Sequence, residues 1–236
     1  MTRFRLGDEV YGSFPHTCAD YAAVPEEKVE RIPTNLPIEK AAAVPTSGIA
    51  ALHGIRDAGK VRPGQKVLIN GASGGVGTFA VQIAKAYGAE VTGVCSTRNL
   101  DLVRSIGADY VIDYTREDFT RGERRYDLIL DQVANHSLSD CRRALTPRGI
   151  HVPNSGHGGM SYVLRALVVS MFVRRQGGAY MATPKPGDLV ELTEWIEAGK
   201  VTPVIDRTYP LGEIGHAFRY LDEGHARGKV VIAVHE

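Results

Sequence analysis

A glycine-rich turn between a short apolar strand and a helical pattern constrains the fold of this chain more than any other feature. The strand Val67–Ile69 leads into Gly71, Ala72, Ser73, Gly74, Gly75, Val76 and Gly77, and a helical pattern follows at 76–87. Glycine has no Cβ, so backbone N–H groups in such a turn can approach a ligand closely. The positive end of a helix dipole favours anions at the same place. The turn, from Gly71 through Gly77, therefore predicts a pyrophosphate-binding site.

The register of the glycines decides where that site lies. Gly71, Gly74 and Gly77 are spaced G-x-x-G-x-x-G, whereas Gly75, Gly77 and Ala80 give a strict G-x-G-x-x-A match. The strict match would put the turn inside the helix, whose apolar positions already keep a helical period, so we reject it. The alternative reading is an ordinary tight turn between a strand and a helix.

Strand and helix patterns alternate from residue 66 onward, which is typical of a doubly wound α/β fold. The predicted strands are Val67–Ile69, Val91–Val94, Tyr110–Ile112, Leu128–Leu130 and Ile150–Val152, separated by helical patterns at 76–87, 99–106 and 137–145. A further strand at Ala179–Thr183, a helix at 187–198, a strand at Val204–Tyr209, a helix at 213–223 and a strand at Lys229–Val234 are expected. In a doubly wound sheet the ligand lies outside the carboxyl ends of the strands.

The first 65 residues break this alternation. They contain three short strand-like pieces, at Gly7–Gly12, Asp20–Val24 and Lys28–Ile32, and then a helical pattern at about 38–58 with Gly59 beyond its end. Three short strands cannot bury a core by themselves. We therefore expect this end to be the late portion of a larger β-rich domain.

Composition excludes several classes of function. The net charge of +1 gives no electrostatic attraction for nucleic acid or an acidic membrane. The three cysteines are scattered without a CxxC pair, so we expect no metal site and a cytoplasmic protein. Ser137, Ser139 and Ser155 lack a G-x-S-x-G motif, which disfavours a hydrolase.

A series of landmarks resembles the medium-chain dehydrogenase/reductase superfamily. In chain order these are Gly7-Asp-Glu-Val-Tyr-Gly12, Ala42-Ala-Val-Pro45, Val61 to Val67, the turn Gly71 to Gly77, Gly107-Ala-Asp109 and Gly228-Lys-Val-Val231. Within the superfamily the chain resembles the zinc-independent quinone oxidoreductase branch, which includes zeta-crystallin. The resemblance implies a Rossmann domain at 46–183, part of a GroES-like substrate domain at 1–45, and a segment at 184–236 that returns to the substrate domain. Most of the N-terminal portion of that GroES-like domain is expected to be missing.

The resemblance also implies an activity. Similar enzymes transfer a hydride from a nicotinamide cofactor to a quinone or an α,β-unsaturated carbonyl without zinc, and no catalytic side chain can be assigned here. A zinc alcohol dehydrogenase is disfavoured, because neither a catalytic Cys/His set nor a four-cysteine lobe is present. The alternative is a catalytically impaired, truncated reductase that acts as a cofactor-binding or regulatory module.

The end of the second strand of the alternating region favours NADPH over NADH. NAD sites usually carry Asp or Glu there, whereas this chain has Ser96, Thr97 and Arg98 after Cys95. Two hydroxyls and a guanidinium suit a 2′-phosphate. The resemblance adds Tyr114 to that phosphate site. The alternative reading is a helix-capping sequence with a solvated charge.

Three further sets of residues are candidates. Asn154, Ser155 and Gly156 follow the fifth strand, where ligand-contacting loops or a plain turn are equally consistent. Thr46 and Ser47 are placed near the nicotinamide by the resemblance, with helix capping or packing as the alternative. Tyr180 and Met181 would lie on the edge strand through which similar enzymes form a homodimer, although an edge covered within one subunit would have the same sequence.

Overall fold

The computed structural model describes residues 3–15, 17–153, 183–185 and 187–234. The predictions for Asn154, Ser155 and Gly156 fall outside these ranges, and so does all of the predicted edge strand Ala179–Thr183 except Thr183. No helix in the described ranges is long and apolar enough to cross a membrane.

A five-stranded parallel sheet forms the centre of the described structure. Its strands are β3 (Lys66–Asn70), β4 (Glu90–Cys95), β5 (Tyr110–Asp113), β6 (Tyr126–Asp131) and β7 (Leu145–Pro153). They lie in the order β5-β4-β3-β6-β7, so the chain crosses from one side of β3 to the other between β5 and β6. This crossing creates the crevice at which doubly wound sheets bind ligands. The predicted Rossmann-like α/β fold is confirmed.

The helices flank this sheet and mostly follow the predicted patterns. They are α1 (Ile38–Ala42), α2 (Pro45–Leu52), α3 (Gly75–Ala86), α4 (Leu100–Ser105), α5 (Leu138–Arg143), α6 (Asp188–Glu197) and α7 (Ile214–Asp222). The helical patterns expected at 38–58 are present, but they form separate elements, because Pro45 starts a new helix and the last turns, His53–Ala58, form a π-helix.

A buried group of charged side chains ties the π-helix to α6. Asp188 Oδ1 accepts a hydrogen bond from Arg56 at 2.8 Å, while Oδ2 accepts from the backbone N of Lys185 at 2.7 Å and lies 2.7 Å from His53 Nε2. Burial opposes ionisation of Asp188, but these donors outweigh it and hold the pKa of its carboxyl below the usual value. Breaking this group is therefore expected to be costly.

The N-terminal residues contribute one two-stranded antiparallel sheet, formed by β1 (Val10–Gly12) and β2 (Val29–Arg31). The strand predicted at Asp20–Val24 is wrong, since these residues adopt no regular structure. Tyr11 is buried against α6, and its hydroxyl lies 2.8 Å from Thr193 Oγ1. Tyr21 remains exposed. One face of this small sheet is thus packed against the rest of the chain.

The C-terminal residues return to the glycine-rich turn. Two strands, β8 (Ile205–Pro210) and β9 (Lys229–Ala233), form a parallel pair. Just before β9, the backbone N of Gly228 donates to the carbonyl of Ser73 at 2.9 Å. Gly228 has φ of +97°, and a Cβ there would lie 2.4 Å from the carbonyl oxygen of Val204. Only glycine therefore fits at this junction with the turn.

Candidate functional site

A cleft of about 630 Å³ lies at the carboxyl ends of β3, β4 and β6. Nine of the residues predicted to bind the cofactor line this cleft: Gly71, Ser73, Gly74, Gly75, Val76, Gly77, Ser96, Arg98 and Tyr114. The structure therefore brings the predicted pyrophosphate turn and most of the predicted 2′-phosphate set into one site. The remaining walls come from residues that the sequence did not point to, namely Asn70, Val94, Cys95, Asn99, Gln132, Val133, Asn135, Gly224, His225 and Ala226.

The glycines of the turn have separate roles. Gly71 has φ of +83°, which favours glycine, and Gly77 has no room for a side chain because a Cβ would lie 2.1 Å from the carbonyl oxygen of Gly71. Gly74 has φ of −81°, a torsion that other residues also adopt, so the backbone does not require glycine at this position. Among the described residues, a Cβ on Gly74 would meet no atom closer than 3.5 Å, and this leaves open space for a ligand.

The start of α3 supports the chosen glycine register. Gly74 is the N-cap and Gly75 the first helical residue, so the strict G-x-G-x-x-A match lies inside the helix as argued from the sequence. The first N–H groups of an α-helix have no partner within the helix, and no side chain caps them here. The turn thus presents backbone donors and the positive end of the helix dipole to the cleft.

The polar side chains of the loop after β4 have two different surroundings. Some line the cleft, and one is hydrogen-bonded to the neighbouring strand. Ser96 and Arg98 line the cleft, and Arg98 also donates to the carbonyl of His225 at 3.1 Å. The hydroxyl of Thr97 instead donates to Asp113, at the end of β5. Thr97 was predicted to contact the cofactor, but its hydroxyl is used to hold the loop against the neighbouring strand.

The two residues predicted near the nicotinamide are not among those that line the cleft. Thr46 Oγ1 lies 3.1 Å from the hydroxyl of Ser13, which joins α2 to the loop after β1. Ser47 Oγ accepts a hydrogen bond from Lys229 Nζ at 2.9 Å. Ser47 is nonetheless next to the turn, since a Cβ on Gly75 would lie 3.5 Å from its hydroxyl oxygen.

Lys229 is the most unusual charged group beside the cleft. Its stem passes the start of α3, where a Cβ on Gly75 would lie 3.1 Å from Lys229 Cδ. Burial lowers the pKa of its ammonium group, and within the described ranges it forms no salt bridge. A partly buried cation at the positive end of a helix is unfavourable because it loses hydration and because the helix dipole repels it. Such a group suits an anionic ligand. The diphosphate of a nucleotide cofactor has the required negative charge.

A buried polar cluster lies beneath the cleft, at the ends of β6 and β7. Asp131 accepts from Asn70 Nδ2 at 2.8 Å and from the backbone N of Ala134 at 2.8 Å, and His151 Nε2 is 3.3 Å away. Burial opposes ionisation of Asp131, but these contacts hold the pKa of its carboxyl below the usual value. Asp131, His151 and Cys141 have potential ligand atoms within 4.8 Å of one another, a proximity that spacing along the chain did not reveal.

Comparison with known proteins identifies the family. A family model described as zinc-binding dehydrogenase matches residues 106–232. The chain is 35% identical over 261 residues to the mitochondrial NAD(P)H oxidoreductase RTN4IP1 of Mus musculus, with 98% of this chain and 65% of that protein covered. The chain belongs to the medium-chain dehydrogenase/reductase superfamily, in its quinone oxidoreductase-like branch. It thus spans 65% of the length of this relative.

Other members of this superfamily show the same relationship. The chain is 32% identical over 244 residues to the chloroplastic NADPH-dependent alkenal/one oxidoreductase of Arabidopsis thaliana, covering 96% of this chain and 58% of that protein. The solved structure of the quinone oxidoreductase from Coxiella burnetii matches with a TM-score of 0.84 and 29% identity, covering 99% of this chain and 74% of that one. The fold class and the resemblance inferred from the sequence are both confirmed.

Proposed function

We propose that this chain is an NADPH-dependent oxidoreductase that reduces a quinone or an α,β-unsaturated carbonyl without zinc. The observation that carries the proposal is the cleft, where a glycine turn, a helix N-terminus and the Ser96–Arg98 loop meet. The names of its relatives, an NAD(P)H oxidoreductase and an alkenal/one oxidoreductase, agree with this class of reaction.

Two sets of residues at the cleft suit two different parts of NADPH. The open backbone at Gly74 and the ammonium of Lys229 suit the diphosphate, which carries negative charge in both NADPH and NADH. Ser96 and Arg98 follow β4, where an NAD site would carry a carboxylate, and together with Tyr114 after β5 they suit the 2′-phosphate found only in NADPH. The reduced nicotinamide, when bound, supplies the hydride.

The protein itself must bind, orient and desolvate the reactants. Backbone N–H groups along Gly71–Gly77 hold the cofactor at the crevice of the sheet, and Asn70 and Asn135 line the same cleft at the end of β3 and just after β6. Asn70 donates its amide hydrogens to Asp131 Oδ1 at 2.8 Å and to Asn135 Oδ1 at 3.1 Å. The amide nitrogen of Asn135 is the group that can donate to a substrate oxygen that gains charge during reduction. The reaction, as proposed, has no step that needs a metal ion as Lewis acid.

The experiment is steady-state oxidation of NADPH, followed by absorbance, with a panel of quinones and α,β-unsaturated ketones. We expect NADPH consumption that requires both protein and acceptor and that persists after dialysis against a chelator. Gly77→Val is the matched negative control, because its side chain would collide with the carbonyl of Gly71.

The alternative, a binding module without turnover, is separated in the same experiment. NADPH binding without any acceptor-dependent oxidation would favour the module, and loss of activity on chelation would contradict the metal-free proposal. The expected homodimer through the segment 179–183 and the cytoplasmic location stay predictions, and light scattering after size-exclusion chromatography tests the first of them.

A further inference from the structure

Asn99 connects the two phosphate-binding parts of the cleft. It ends the short 3-10 turn Thr97–Asn99 after β4 and is only 5% exposed. Its amide nitrogen Nδ2 donates to Ser73 Oγ at 3.0 Å and to Ser96 Oγ at 3.3 Å. Ser73 belongs to the glycine turn and Ser96 to the end of β4, and all three residues line the cleft. One amide group therefore contacts a hydroxyl at each of the two sites.

The direction of these two hydrogen bonds determines what the serines can do. A serine hydroxyl has one hydrogen to donate and two lone pairs to accept. Because Asn99 Nδ2 has no lone pair to offer, both serine oxygens act as acceptors toward it. Each hydroxyl hydrogen is thereby left for another acceptor. Phosphate oxygens only accept hydrogen bonds from such a group, so this is the orientation that an anionic ligand requires.

The side-chain oxygen of Asn99 gives a second indication that this residue contacts a ligand. Asn99 Oδ1 is buried, and among the described residues it has no hydrogen-bond partner. Buried polar atoms without partners are rare in proteins and call for an explanation. A sugar hydroxyl of a nucleotide, which can donate a hydrogen bond, would satisfy this oxygen. Asn99 would then stand in for the carboxylate that NAD sites place near the same ribose.

We infer that Asn99 is a positioning residue that sets the hydroxyls of Ser73 and Ser96 as donors to the phosphate groups of the bound cofactor. The hydrogen bond from Asn99 to Ser73 affects binding of the diphosphate, which NADPH and NADH share. The hydrogen bond from Asn99 to Ser96 affects binding of the 2′-phosphate and therefore contributes to the preference for NADPH. This inference rests on the proposed function, since it assumes that the cleft takes a nicotinamide dinucleotide.

The test is a double-mutant cycle between Asn99 and Ser96. Dissociation constants for NADPH and NADH are measured by nicotinamide fluorescence for the wild type, Asn99→Leu, Ser96→Ala and the double variant. Leucine has a similar volume, no charge and no donor. We expect Asn99→Leu to weaken NADPH binding by about 5- to 30-fold and to lower the NADPH-to-NADH affinity ratio. In the Ser96→Ala background the same substitution should leave this ratio unchanged, because the hydroxyl on which Asn99 acts is gone.

A second variant keeps the test decisive if leucine is not tolerated. Asn99→Asp has nearly the same shape, but its carboxylate accepts hydrogens from both serine hydroxyls and so withdraws them from the ligand. It should weaken NADPH binding more than Asn99→Leu does. Asn35→Leu is the control, because Asn35 donates its amide to the carbonyl of Ile196 outside the cleft. This control should leave the affinity ratio of the folded protein at the wild-type value.

The outcomes separate this inference from the proposed function. If the wild type binds neither NADPH nor NADH, the proposed function fails. If it binds them and Asn99→Leu leaves the affinity ratio unchanged, the positioning role is wrong. An equal drop of the ratio with and without Ser96 would also overturn it, since Asn99 would then act without this hydroxyl.

Discussion

Replacing Lys229 with methionine should stabilise the protein while weakening its binding of cofactor. Methionine keeps the unbranched stem that passes Gly75, where Lys229 Cδ lies 3.1 Å from the position of a Cβ, and removes only the buried ammonium group. Replacing buried charges with apolar groups of similar volume often stabilises a protein by about 1–4 kcal/mol. A gain of about 1 kcal/mol corresponds to a rise of about 2–4 °C in Tm for a chain of this size.

The pH dependence of stability gives the sign of this effect. Burial lowers the pKa of Lys229 in the folded protein, so between the folded and unfolded pKa values the unfolded chain binds more protons. The free energy of unfolding contributed by this group therefore rises as the pH increases toward the usual lysine pKa. The Lys229→Met variant should lack this rise. Lys40→Met, which alters an exposed lysine on α1, should show neither effect.

Cofactor affinity should change in the opposite direction. Loss of one charge-assisted hydrogen bond, worth about 1.5–3 kcal/mol, should weaken binding by at least about tenfold. The loss should be equal for NADPH and NADH, because the diphosphate is common to both. Thermal unfolding across pH and fluorescence titration with both cofactors are the measurements. A variant that is less stable than the wild type and binds both cofactors normally would refute the role assigned to Lys229.

Three further substitutions test other parts of the structure. Arg98→Ala combined with Ser96→Ala should weaken NADPH binding by at least about tenfold and NADH binding much less, as measured by fluorescence titration; equal losses would contradict the 2′-phosphate site. Gly77→Val should abolish binding, because its Cβ would lie 2.1 Å from the Gly71 carbonyl oxygen, and near-native affinity in calorimetry would show that the turn is misplaced. Asp188→Asn should lower the free energy of unfolding by about 3 kcal/mol near neutral pH. This difference from the wild type should shrink as the pH falls below about 4, because the wild-type carboxylate then becomes protonated. A difference that stays constant with pH in denaturant titrations would argue against a stabilising role of the Asp188 carboxylate.

The sequence predicted the sheet and the glycine turn well because both depend on local patterns. Short apolar runs set the five parallel strands, and the helical period after Gly75 placed the turn at the correct glycines. The helical patterns predicted at 38–58 are present, but the sequence did not show that Pro45 begins a separate helix or that the last turns change to a π-helix. A strand was wrongly expected at Asp20–Val24, where no strand in the described ranges pairs with these residues.

Sequence analysis did not reveal roles in and beside the cleft that depend on contacts between residues far apart in sequence. Lys229 reaches the turn because Gly228 is hydrogen-bonded to Ser73, and the sequence showed it only as part of a glycine-lysine landmark. Asn99 follows the predicted phosphate-binding residues directly, so its type and place were visible, but its bond to Ser73 was not. Thr97 has the residue type expected in the site, and only the structure shows that Asp113 takes its hydroxyl.

The most direct test of the account is competition for the cleft by half-molecules of the two cofactors. The chain is titrated with NADPH by nicotinamide fluorescence, and bound NADPH is then displaced with 2′,5′-ADP or with 5′-AMP, which lacks the 2′-phosphate. We expect saturable binding of NADPH and displacement by 2′,5′-ADP at concentrations at least about tenfold lower than by 5′-AMP, because only the former reaches Ser96 and Arg98 through its 2′-phosphate. Absence of NADPH binding, or equal displacement by the two competitors, would contradict this expectation.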